Sequence, residues 1–117
     1  MATPNLISAT TINGLTSMLL VTTSPTLLLS NAAASGKAQR INSLLVSNVN
    51  GTTAATVTFS ILRNGVYYRI AYQMSVPAAS TLDLINKVLY LNEGDGLYIS
   101  ASVNSYLEAV VSYEEIS

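Results

Sequence analysis

Apolar and polar residues alternate with a period of two over most of this chain, and short clusters of Gly, Pro, Asn and Ser separate the runs. Successive side chains on an extended backbone point to opposite sides, so this period marks strands with one buried face. The clearest unit runs from Ala55 to Val76. Val57, Phe59 and Ile61 alternate with Thr56, Thr58 and Ser60. Beyond Asn64-Gly65, the residues Val66, Tyr68, Ile70, Tyr72, Met74 and Val76 alternate with Tyr67, Arg69, Ala71, Gln73 and Ser75. Asn-Gly suits a two-residue type I′ hairpin, because both turn positions need positive φ. The turn then sets a register. Arg63 opposite Val66 puts Ile61 opposite Tyr68, Phe59 opposite Ile70 and Val57 opposite Tyr72 on an apolar face. Ser60 meets Arg69, and Thr56 meets Gln73, on the other face. A slip of one residue would send one apolar set to solvent.

A second hairpin is expected at the C-terminus. Leu97, Ile99, Ala101 and Val103 alternate with serines and Tyr98, and Leu107, Ala109, Val111 and Tyr113 alternate with Glu108, Val110, Ser112 and Glu114. A two-residue turn at Asn104-Ser105 would oppose apolar to polar positions. A three-residue loop, Asn104 to Tyr106, pairs Val103 with Leu107 and Ile99 with Val111, so that loop is predicted. Ala38 to Val49 is apolar on both faces, which suits a central strand or one bulged near Asn42-Ser43. Weaker strands are Ser17 to Thr22, Thr26 to Ser30, Leu82 to Ile85 and Val88 to Leu91. Residues 1–15 read as an irregular N-terminal arm with Leu6 and Ile7 as apolar anchors, and 16–117 as one domain. The expectation is an all-β, single-domain antiparallel β-sandwich of about eight strands, of jelly-roll or Greek-key type.

Composition narrows what such a domain can do. Only 9% of the 117 residues are charged, and His, Cys and Trp are absent. General acid–base work at neutral pH draws first on His, and thiol nucleophiles and thiolate or imidazole metal sites need residues this chain lacks. Serines and threonines abound, but no base is evident to activate one. An enzyme is therefore not expected, nor a metal or other cofactor. Five scattered cations and a net charge of −1 give no grip on nucleic acid phosphates. The apolar runs are too short to span a bilayer, and Met1 to Asn5 lacks the basic start of a secretory signal. A nearly neutral surface with few charges suits contact with neighbours better than solvation.

Individual motifs add little chemistry. Ser35-Gly36-Lys37 fails as a phosphate loop, because Asn31 stands where that motif needs Gly and Ala38 where it needs Ser or Thr. Asn92-Glu93-Gly94-Asp95-Gly96 collects oxygen ligands but lacks the spacing of a calcium loop, so it reads as a tight turn. Of the tyrosines, Tyr68, Tyr72 and Tyr113 fall on predicted core faces. Tyr67, Tyr98 and Tyr106 fall on outward faces or a loop, where Tyr is typical of protein interfaces.

Two C-terminal segments, Leu91-Asn92-Glu93-Gly94-Asp95-Gly96-Leu97 and Leu107-Glu108-Ala109-Val110-Val111-Ser112-Tyr113-Glu114-Glu115-Ile116, resemble small virion structural proteins of tailed bacteriophages, especially marine and cyanobacterial ones. Asn31 to Lys37, Ile41 to Leu44 and Val49 to Thr52 occupy matching places. Gly96 departs from the polar residue usual after Gly-Asp. The resemblance implies a capsid decoration or cement protein, or else a tail, neck or fibre component such as a receptor- or carbohydrate-binding module. It implies self-association, most simply as a trimer, and contact with the major capsid protein. It places the chain in the virion after synthesis in the bacterial cytoplasm. Leu6, Ile7, Tyr67, Tyr98 and Tyr106 are the expected interface residues.

Overall fold

A computed structural model describes residues 8–85 and 87–117. Among them run nine strands: β1 (Ile12–Leu20), β2 (Thr26–Ser30), β3 (Ala38–Asn48), β4 (Ala55–Arg63), β5 (Val66–Val76), β6 (Thr81–Asp83), β7 (Leu89–Leu91), β8 (Gly96–Ala101) and β9 (Leu107–Ile116). They form two antiparallel sheets. One is ordered β1-β9-β3, with β6 and β7 sharing the far edge of β3; the other is β2-β8-β4-β5. If β6 and β7 are taken as halves of one strand, the first strand pairs with the last and the second with the next to last, inward to the β4–β5 hairpin. A long antiparallel ribbon has been rolled into two layers. This is the jelly-roll arrangement, one of the two that alternation left open.

The core lies between the layers. Ile41, Leu44 and Val46 of β3 and Leu107, Ala109 and Val111 of β9 face Val57, Phe59 and Ile61 of β4 and Leu97 and Ile99 of β8. Ile41 and Leu44 can both point inward because the β3–β9 register shifts between Ile41 and Ser43, leaving Asn42 unpaired. The apolar residues on both faces of this strand thus have both expected causes: β3 is central, and it is bulged. Two buried asparagines fasten loops to this body. Asn31 Nδ2 donates to the carbonyls of Lys37 (2.8 Å) and Leu91 (3.1 Å), and Asn48 Nδ2 donates to those of Thr53 (3.0 Å) and Val76 (3.1 Å).

The Asn64-Gly65 turn forms with φ of 53° and 77°, as type I′ requires. Arg63↔Val66, Ile61↔Tyr68 and Ser60↔Arg69 pair as the turn predicts. Beyond them the register departs from expectation, because β5 has 11 residues against 9 in β4. Two bulges absorb the excess, so Phe59 meets Ala71 and not Ile70, Val57 meets Met74 and not Tyr72, and Thr56 meets Ser75 and not Gln73. Gln73 takes φ of 48° at the second bulge, and its N–H donates to Thr58 Oγ1. Two core-face assignments are corrected: Tyr72, turned to the outer groove by the first bulge, is 62% exposed, and Tyr68, still opposite Ile61 but on the edge strand, is 58% exposed.

The expected C-terminal hairpin is also corrected. β8 pairs with β2 and β4, whereas β9 pairs with β1 and β3, so residues 102–106 cross from one sheet to the other. Finally, β1 starts at Ile12, inside the segment assigned to the arm. Ser117 ties the chain just before it, since its carbonyl accepts from the Thr10 and Thr11 N–H groups.

Candidate functional site

Small side chains in the middle of a sheet row, flanked by large ones, leave a groove. The outer face of β8-β4-β5 is built this way. Ser60 on β4 lies between Tyr98 on β8 and Arg69 on β5; one row along, Leu62 lies between Gly96 and Tyr67, and the space a side chain at Gly96 would fill is taken by the Tyr98 ring. The hydroxyls of Thr58 and Ser60 form the floor of a shallow groove of ≈ 360 Å³, and Tyr98 faces Tyr67, Arg69 and Tyr72 across it. Tyr67 and Tyr98 meet edge to face, with centroids 5.4 Å apart at 80°, the arrangement that ring quadrupoles favour. The Arg69 guanidinium sits 5.1 Å from the centre of the Tyr72 ring, a cation–π contact worth about 0.5–1 kcal/mol at an exposed position. No carboxylate lines the groove. It presents aromatic surface, hydroxyls and one cation.

Gly96 sets the position of Tyr98. A Cβ added there would lie 2.9 Å from Tyr98 Cε1 and 3.3 Å from Leu27 Cδ1, too close for either to stay. Gly96→Ser is expected to swing the Tyr98 ring off Tyr67 at a cost of about 1–2 kcal/mol. The near-ultraviolet tyrosine dichroism should change while the far-ultraviolet strand signal stays. An unchanged tyrosine signal would mean that Gly96 does not hold the pair.

A second surface adjoins this groove. β5 pairs with β4 alone, so its other edge has no described strand beside it. Val66, Tyr68, Ile70 and Met74 are exposed along it, with Val88 and Tyr90 nearby. The four tyrosines around β5, namely Tyr67, Tyr68, Tyr72 and Tyr90, are 39–62% exposed. At about 200 Å² for a full aromatic side chain they show on the order of 400 Å² in all, divided between Tyr67 and Tyr72 on the groove side and Tyr68 and Tyr90 on the other. A third apolar surface lies on the opposite side of the sandwich, where Met18 (73% exposed) and Leu20 on β1 border Val110 on β9.

The expected interface residues are thus placed unevenly. Tyr67 and Tyr98 are brought together in the groove. Tyr106 is not with them: it lies in the β8–β9 connection, where a loop was expected, but it is half-buried and packs against the core. Leu6 and Ile7 lie outside the described residues. Tyr68, Ile70, Tyr72 and Met74 were missed. The signal that could have found them is aromatic and aliphatic residues on both faces of one strand, which a singly buried strand does not need.

At the entrance to β8, the Asn92-to-Gly96 segment forms the expected turn, with Gly94 at φ 86° and the Asp95 N–H donating to the Asn92 carbonyl. Arg63 Nε and Nη2 reach Asp95 Oδ1 (2.8 Å) and Oδ2 (2.6 Å), and the Asn92 N–H adds a third bond at 2.8 Å. Burial alone would raise the Asp95 pKa. The Arg63 and Asn92 hydrogen bonds and the Arg63 charge outweigh it and hold the carboxyl below its ordinary range. Among the described residues no cluster of three carboxylates could hold a metal ion.

No family model matches the chain, and no curated protein matches it either. Fold and surface therefore carry the functional argument.

Proposed function

We propose that the chain is a non-enzymatic structural component of a tailed-bacteriophage particle, a decoration or cement subunit that docks on the major capsid protein and braces the head. The exposed β5 edge with its tyrosines is the observation that carries this reading. An apolar edge strand left open is an aggregation hazard, and natural proteins keep one where a partner covers it. Three further features support it. The jelly roll is a fold used by viral capsid and lectin domains. The surface carries few charges. The segments from Leu91 to Leu97 and from Leu107 to Ile116 resemble phage virion proteins. In this reading the subunit is made in the bacterial cytoplasm, associates with its own copies and ends in the virion, and residues 1–7 help it grip a neighbour.

The test uses head particles stripped of this protein and re-incubated with the purified chain. Saturable binding that repeats on the capsid lattice, seen by electron cryo-imaging, is expected, with occupancy lowered when residues 2–7 are deleted. That deletion removes Leu6 and Ile7 but leaves β1 and the Thr10 and Thr11 hydrogen bonds in place. A chain that never binds heads sinks the proposal.

The Tyr67–Tyr98 groove with Arg69 favours one second reading, a tail, neck or fibre component that binds a receptor or carbohydrate. It predicts density at a single vertex or along the tail, and saturable binding to host-surface glycans that Tyr98→Ala removes.

A further inference from the structure

The few charges on this chain are almost all occupied within it. Of eleven charged side chains, six are tied in the pairs Lys37–Glu115, Arg40–Glu114 and Arg63–Asp95. Two more carboxylates accept backbone N–H groups: Asp83 from Leu44 and Ile85, and Glu93 from Gly36. Three remain with no ionic or hydrogen-bonded partner among the described residues: Arg69, Lys87 and Glu108. Their placement is not random. Arg69 is on β5 at the groove, and Lys87 lies beside Ile70 and Val88 on the other side of that strand, so the two cations flank the β5 edge. Glu108 is exposed on β9, beside Met18 and Leu20, in a shallow cavity of ≈ 290 Å³.

These two surfaces lie at opposite edges of the sandwich. β1 and β2 close one side, while β5 overhangs the β6–β7 edge on the other. One copy cannot bring its own two surfaces together. A two-fold contact through either surface alone would gather only like unpaired charges in one interface, two copies each of Arg69 and Lys87 or two of Glu108, which is unfavourable where water is excluded. A contact between unlike surfaces sets opposite charges together over apolar ground. The tyrosines of the β5 surface expose on the order of 400 Å², and Val66, Ile70 and Met74 extend it toward the roughly 800 Å² per partner of a stable interface.

We propose that this chain assembles head to tail, with the β5 edge of one copy seated on the β1–β9 outer surface of the next and Glu108 of the second copy meeting Arg69 and Lys87 of the first. A contact between unlike surfaces closes into a ring of three or more copies where the rotation between successive copies allows it and otherwise runs on as a filament; the closed ring is the form proposed. This rests on the particle-subunit reading and gives it a partner surface, yet the two can fail separately. A chain that decorates heads as a monomer sinks the ring alone, and a ring that never binds heads sinks the particle reading alone.

Light scattering on size-fractionated protein tests it. The wild-type chain is expected at a single mass of three or more copies. Glu108→Arg, and separately the double variant Arg69→Glu with Lys87→Glu, should each raise the dissociation constant at least about tenfold, the equivalent of one lost charge contact. Combining all three substitutions restores opposite charges across the same contact and should restore the assembly. All three positions are exposed, and thermal unfolding of each variant reports whether the fold is kept. A wild-type monomer at high concentration, an assembly indifferent to Glu108→Arg, or a triple variant that stays apart while folded would each overturn the proposal.

Discussion

Phe59→Ala should destabilise the folded chain by about 3–5 kcal/mol, the range for deleting a fully buried aromatic ring. Phe59 has no exposed surface and sits midway along β4, between Ile99 on β8 and Ala71 on β5. Ala71 is opposite it because the bulge at Ile70 turns a small side chain inward and the larger one out to the edge, which makes room for the ring. Neighbouring strands can close over the lost volume only by shifting, so the hole persists in part. A domain of this size holds about 5–15 kcal/mol in all, so this change brings the fold near its limit. Urea unfolding measures it, with Phe59→Leu as a milder control expected to cost less than the alanine variant because it leaves a smaller hole. A loss under about 1 kcal/mol for the alanine variant would mean that the two sheets do not pack through β4.

Arg63→Met should cost about 2–3 kcal/mol at neutral pH, because it leaves the Asp95 carboxylate, 2% exposed, with only the Asn92 N–H. The pH dependence separates this cause from simple loss of packing. In the wild type the Asp95 carboxyl titrates below its unfolded value, so its contribution is complete above about pH 4 and is lost as pH falls through the lower folded value. Glu115 titrates in the same direction, held down first by its hydrogen bond from Lys37. Without Arg63, burial dominates at Asp95 and its carboxyl titrates higher than in the unfolded chain. The variant then recovers stability as acid protonates the buried group. The gap between wild type and variant should therefore narrow from pH 7 to pH 3, and a gap constant across that range would show that charge is not what Arg63 supplies.

Much of the architecture was legible because alternation reports which side chains turn inward. β2 has the expected ends, β3 has its bulge where Asn42-Ser43 suggested one, and Asn64-Gly65 turns as its chemistry requires. The same signal misled at the C-terminus for a physical reason. Leu97, Ile99, Leu107 and Val111 all face the core, but β8 and β9 face it from opposite sheets. Parity alone cannot tell a hairpin from a crossover. Tyr68 and Tyr72 failed differently. Alternation marks a face as apolar without saying what lies opposite it, and β5 has bulges and an open edge where a facing sheet was assumed. Nothing in the spacing marked Asn31, Asn48 or Asp95 as buried, since each is fixed by one partner far along the chain, 60, 28 and 32 residues away.

Local order along the backbone was decided residue by residue: where strands run, where they break, and which turn joins β4 to β5. These depend on sterics and on the two-sided pleat, both of which act over a few neighbours. Which strands lie side by side, and which greasy side chains end up without cover, depended on how the rolled ribbon closes. That closure is set by contacts between distant segments, and it alone put two cations at one rim and a lone carboxylate at the other.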